Sequence, residues 1–452
     1  MKKVLVTIAA LGLVAGAATA ASAVEWQISG KYMVEGAYLN SANSGGVVAT
    51  EAPGTSNNTN AYYLHTFEIN PSMKVNDKIA MYSVVRLAQD NFWGNQYDTV
   101  GNTMGTSDKN SSVYIHQLYM DYTSPIGLFR IGRTSAGTFG TSFLDFDQRA
   151  DRIQLFPSLL AGGPWSTQFY IQKSTDNATN PAYDDQSDKD SNKYVARLFY
   201  KTSNLDAGLE YAYGSNHAYP SGNTVARSLL EDVDLYGKFK MDNLYINGEL
   251  IHYFGNKDYD HTYTTAANQD YDSWAGMLNV GAKVDKLDVG AMAFYAEGQS
   301  NGDNDITSAL NPTNSATTGP GNAVGTGDLF EPFYVLTGRH TGILNNNLFN
   351  NYTYAASYAG ARAAGVYANY AVSDKMTVHG AVGYAQADKK NWAREGDYGW
   401  EYDLGMAYKL LDNLTYEAHF GFLDTGDFFN GASTLDTTKN IYVLSHSLTM
   451  TF

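Results

Sequence analysis

The chain has 452 residues, with 30 basic side chains against 46 acidic ones, no cysteine, and 35 tyrosines beside 43 glycines and 10 prolines. The lack of cysteine excludes disulfides, thiolate metal or haem attachment and a lipoprotein anchor, and the acidic balance argues against a nucleic-acid partner. Tyrosine at this density, with an apolar ring and a polar tip, suits a membrane interface.

In chain order, Lys2 and Lys3 precede an apolar run from Val4 to about Ala18, and Ala21-Ser22-Ala23 follows. That is the pattern of a secretory signal peptide over residues 1–23. A membrane anchor would need a longer run, less rich in Ala and Gly. Without Lys2 and Lys3 the balance is 28 basic against 46 acidic residues, a formal charge of −18. Beyond the signal no apolar stretch approaches the roughly 20 residues of a spanning helix, so if the chain crosses a membrane it does so as a closed barrel.

The first segment after the signal, VEWQISGKYMVEGAYL, puts Trp26, Ile28, Tyr32, Val34 and Tyr38 on one parity and Glu25, Gln27, Ser29, Lys31 and Glu35 on the other. A period of two is a strand signature. Comparable segments run at 61–75, 79–90, 112–123, 128–136, 150–157, 165–173, 193–203, 204–214, 229–241, 244–255, 271–284, 287–297, 357–372, 376–387, 398–410, 414–424 and 440–452. Together they make about eighteen strands, or sixteen if Pro157 and Pro164 break the pair around them. Tight polar turns such as Asn76-Asp77-Lys78, Asp242-Asn243 and Asp412-Asn413 alternate with long Asn-, Asp-, Gly- and Thr-rich stretches, among them 298–356. Short turns at one end and long loops at the other are expected of an all-β antiparallel transmembrane barrel with short periplasmic turns and long external loops, filling residues 24–452 as one domain.

One parity is far more charged than the other. Glu35, Glu68, Arg86, Asp121, Arg130, Arg197, Glu210, Asp234, Lys238, Glu249, Glu401, Asp403 and Glu417 fall on it. In a dry core such groups would each cost several kcal/mol unless paired, whereas a water-filled lumen keeps them solvated. A barrel this wide cannot be filled by wall side chains alone. The last strand carries Tyr442, Leu444, His446, Leu448, Met450 and Phe452 on the face expected toward lipid. His446 is expected to pack under a Tyr or at a subunit contact.

Residues 124–153, SPIGLFRIGRTSAGTFGTSFLDFDQRADRI, contain a tight turn, a strand ending in Gly-Arg and a Gly-rich loop with acidic residues. This stretch resembles the third hairpin and constriction loop of Gram-negative outer-membrane porins. With the signal peptide, the alternation and the terminal Phe, the resemblance covers essentially the whole chain. It implies an outer-membrane location among lipid and lipopolysaccharide, a homotrimer, and a water-filled channel for small hydrophilic solutes. It also implies recognition by the barrel-assembly machinery through Phe452, Met450, Leu448 and Tyr442. Arg130 and Arg133 would stand on the wall near the constriction, with Asp145, Asp147, Arg149, Asp151 and Arg152 on or beside a loop, 137–149, folded into the lumen. Arg133 shares parity with Phe129 and Ile131, so it reaches the lumen only if Gly132 marks a bulge.

The acidic loops and lumen lean such a channel toward cations. A solute-selective channel gated by 298–356 is the alternative, this segment turning ordered-looking at FEPFYVLTGRH, and a sheath around an electron-transfer partner is another. A barrel enzyme would need a nucleophile beside a base, yet the nine His are scattered along the chain and no H-x-x-x-H arrangement occurs. The Asp-rich run Asp184 to Asn192 lacks the Gly and closing Glu of a calcium loop and reads as a solvated loop. No catalytic residue, metal or cofactor is expected.

Overall fold

The computed structural model describes residues 24–40, 60–93, 113–145, 149–160, 162–176, 190–217, 225–262, 264–300, 304–310, 326, 330–341, 343–344, 358–390, 396–429 and 440–452, with a few two-residue pieces between them. Residues 1–23, Asp147 and most of the 184–192 run lie outside the described residues.

The barrel strands are β1 Glu25–Leu39, β2 Asn60–Asn76, β3 Ile79–Phe92, β4 Tyr114–Ser124, β5 Gly127–Ser135 and β6 Arg149–Pro157. They continue with β7 Trp165–Thr175, β8 Ser191–Lys201, β9 Leu205–Asn216, β10 Val225–Met241, β11 Leu244–Tyr259 and β12 Gln269–Val284. The last six are β13 Leu287–Ala296, β14 Ala361–Ala371, β15 Met376–Gln386, β16 Asp397–Leu411, β17 Leu414–Thr425 and β18 Ile441–Thr451. They form one 18-stranded antiparallel sheet in which β1 pairs with both β2 and β18, so the sheet is closed and has no edge. The count is eighteen because the two prolines lie outside the ladder's interior. Pro157 ends β6 and Pro164 precedes β7, so neither removes a needed donor.

Short connections gather at one end because their residues are built for reversal. Asn76 Oδ1 accepts from the backbone N–H of Lys78 (2.9 Å) and Ile79 (3.0 Å), and Thr202 Oγ1 accepts from Leu205 N–H at 3.0 Å. Asp242 and Asp285 take left-handed φ values of 50° and 53° in the tightest hairpins, a conformation Asp tolerates by bonding its own backbone.

Alternation sets the two faces. Outward, Leu235, Leu250, Leu278, Val366, Leu404 and Leu444 are each about half or more exposed, an apolar belt on every side that water would not support but lipid would. No helix among the described residues is long and apolar enough to cross a membrane. Phe452 lies at the seam: its backbone exchanges hydrogen bonds with Gly30 (2.9 and 3.1 Å), and its ring covers Gly30, where a Cβ would come within 2.4 Å of Cζ. His446 packs edge-on to Tyr63 (centroids 5.6 Å) and beside Tyr416 on the outer face.

Candidate functional site in the lumen

The inward parity carries a chain of ion pairs along the wall. Arg86 binds Glu68 (2.9 Å), Arg130 binds Asp121 through both carboxylate oxygens (2.8 and 2.9 Å), Arg197 binds Glu210, and Lys193 faces Asp232 (3.7 Å). The first three pairs sit opposite one another in the strand register, where cross-strand neighbours meet, whereas Lys193 and Asp232 reach over β9 from β8 and β10. Glu417 accepts from Ser447 Oγ at 3.5 Å, also on the inner face.

Two segments leave the rim and fold into this lumen. The first follows β5. Arg197 Nη1 donates to the carbonyls of Ala136 (2.9 Å) and Gly137 (3.2 Å), Arg152 donates to that of Thr134, and Lys238 Nζ donates to that of Gly140 (2.6 Å). Phe139 packs edge-on to Tyr236 at 5.0 Å and under the Arg197 guanidinium at 5.2 Å. Gly140 is left-handed (φ 67°), and a Cβ there would lie 2.8 Å from Glu249 Oε2. That close approach lets Thr141 N–H donate to Glu249 at 2.5 Å.

The second segment is the described part of 298–356, chiefly residues 330–341, and it crosses to the opposite wall. Val335 and Leu336 N–H donate to the two oxygens of Glu401 (2.9 Å for Leu336), and Tyr334 N–H donates to Asp403 at 3.3 Å. The Tyr334 ring stacks on His419 at 5.1 Å. His340 is buried between Tyr62 Oη (2.7 Å) and Glu35 Oε1 (2.8 Å), while Arg339 reaches Asp90 and Glu35 (3.5 Å). Phe333 occupies a slot made by Gly365 and Gly383, register partners on β14 and β15.

The segments meet at the centre. Leu144 N–H donates to Thr326 C=O at 2.8 Å, and Phe143 packs on Phe330 at 5.0 Å. Against β10–β13 they leave a cavity of about 410 Å³. Thr141 and Ser142 border it from the first segment, Phe330, Glu331 and Pro332 from the second, and Lys238, Asn247, Met277, Asn279 and Met292 from the wall. A second cavity of about 360 Å³ shares Lys238 and Asn247 and continues past Lys283 and Asp288 toward the short-turn end. Glu331 is solvent-exposed, yet its carboxyl is pushed up by burial among the surrounding protein, while Arg339 N–H and the Arg339 and His340 charges pull it down. Exposure to water inside an enclosure is what a lumen provides.

Several expected constriction residues stand elsewhere. Arg133 pairs with Asp151 at 4.0 Å on the outer face, in register beside Ile131 and Ile153, and Arg149 shares that parity at the start of β6. Gly132 has φ 129° but the register passes through it without a shift, so nothing turns Arg133 inward. Arg130 is in the lumen three residues from the short turn, bound to Asp121 and, among the described residues, not to the inward loop. Asp145 lies at the end of the described part of that loop, its N–H donating to Ser142 C=O at 3.4 Å. Of the cluster, Arg152 holds the loop root. Arg197, Lys238 and Glu249, expected only to line the pore, hold the loop itself. Tyr334 and His340 fall in the ordered-looking stretch FEPFYVLTGRH, but their contacts with Tyr62, Glu35 and Ser445 carried no signal in the sequence, because those partners are far away in the chain.

No protein-family profile matches the chain, and no curated protein matches by sequence. Solved structures do. The Pseudomonas aeruginosa protein OccK9 (OpdG) superposes with a TM-score of 0.53 at 11% identity over 94% of this chain and 98% of that one. OpdQ of the same organism gives 0.52 at 12% over 94% and 98%, and OccK11 (OpdR) gives 0.50 at 10% over 94% and 96%. The fold that this chain shares with them is a closed, 18-stranded antiparallel β-barrel of the transmembrane type.

Proposed function

We propose that this chain is a narrow, solute-selective outer-membrane channel for small hydrophilic molecules. One observation carries the reading: two inward segments, fastened by Glu249 on one wall and Glu401 on the other, reduce a wide barrel to a passage along β10–β13. A barrel of this strand number without such segments would be open to large solutes. The same filling disfavours a sheath, which needs a free bore. The lean to cations rests on the acidic excess of the chain. At the cavity one Lys and one Glu offset each other, so the lean is expected to be small. A homotrimer and handling by the assembly machinery, carried over from the porin resemblance, belong to the same proposal.

Swelling of liposomes containing the purified barrel, in sugars of increasing size, tests this. Rates should fall steeply once the solute outgrows a cavity of about 410 Å³. Equal rates for a monosaccharide and a long oligosaccharide would overturn it.

A further inference from the structure

The channel reading leaves open which solutes the passage favours, and the cavity's lining speaks to that. Lys238 spends one N–H donor on Gly140 C=O, leaving two for the cavity. Glu331 accepts Arg339 N–H at 2.9 Å through Oε1 alone. An ammonium and a carboxylate from different elements thus border one small space, and no ion pair joins them among the described residues. Between them the lining is soft and apolar, with Met277, Met292, Phe330 and Pro332. Thioethers and a ring adapt to varied apolar shapes. Tyr367 holds Asn279 by donating to its Oδ1 at 2.9 Å, fixing an amide at the same surface.

A solute of one charge would satisfy one of these groups and face the like charge of the other. A neutral sugar would waste the apolar lining. We infer that the cavity between the inward segments is a binding site for a small zwitterion with an apolar body, an apolar amino acid or its dipeptide. The carboxylate meets Lys238, the ammonium meets Glu331 and the side chain lies on the methionines. The inference rests on the channel reading and adds a substrate class to it. A volume of about 410 Å³ is at the lower end of small-molecule sites, so bulkier peptides are excluded.

The test is interruption of ion current through the full-length protein in planar bilayers. The probes are leucine, leucyl-leucine, 4-methylpentanoate, which lacks the amine, and 3-methylbutylamine, which lacks the carboxylate. Leucine or leucyl-leucine should block at concentrations about tenfold below either single-charge analogue, and the stronger of the two gives the length. Lys238→Gln and Glu331→Gln should each raise the blocking concentration about tenfold, the loss of one charge-assisted contact. Both variants keep a side-chain acceptor or donor of similar size, and compact migration on an unheated gel verifies their folding. Equal block by all four probes, or block unchanged in both variants, overturns the site and leaves the channel reading standing. A folded barrel that passes no current overturns both.

Discussion

Arg133 and Arg197 show at the scale of single residues how parity decides a role. Arg133 is half exposed on the outer face beside Asp151, whereas Arg197 is nearly buried and bonded to the root of the first inward segment. Exposed pairs contribute little. Arg133→Ala should therefore leave the reversal potential in a salt gradient unchanged, while Arg197→Ala should alter both conductance and selectivity; a shift with Arg133→Ala would refute the register. Gly30 lies under the terminal ring, with room for no Cβ. Gly30→Val should cut the yield of assembled, heat-modifiable barrel severalfold without reducing export, read by gel mobility of membrane fractions. Glu331 has a carboxyl raised by burial, with Arg339 and His340 lowering it and Glu35 raising it further. Protonation removes its attraction for an ammonium, so leucine block should weaken as pH falls through that raised value. Glu331→Gln should abolish this dependence.

Among the elements, the two inward segments share one device: a wall carboxylate accepts backbone N–H groups at a bend. Glu401 is fully buried and binds two of them. Removing this acceptor leaves each buried N–H donor unsatisfied, at a cost of about 1–3 kcal/mol. Glu401→Ala should release residues 330–341 from their wall, and single-channel conductance should rise with noisier open states; conductance equal to the parent would show that the segment is held by other contacts. Phe333 reaches the wall only because Gly365 and Gly383 face each other, a Cβ on Gly383 lying 2.0 Å from its ring. The sequence shows those glycines, but it cannot show that a ring from a distant loop fills them.

For the whole molecule, strands were legible because a wet and a lipid face impose a period of two on nearly every segment, from Trp26-Ile28 to Met450-Phe452. Turn residues with local hydrogen-bonding habits marked the short end equally well. The lumen was legible as a set of charges but not as an arrangement. Glu249 and Glu401 read as solvated pore carboxylates, yet each is spent on a backbone N–H contributed by residues 108 and 65 or 66 positions away. Contacts of that range leave no local periodicity. The porin resemblance pointed to one inward loop; the second, from 298–356, is the larger contributor to the filled interior, with Phe330, Phe333, Val335 and Leu336 all buried. Planar-bilayer conductance of the purified barrel in a salt gradient, compared with Glu401→Ala, tests the central claim most directly. Small discrete steps with a weak cation lean, growing larger in the variant, are the predicted result. Silence from a folded barrel, or large steps that the variant does not change, would contradict it.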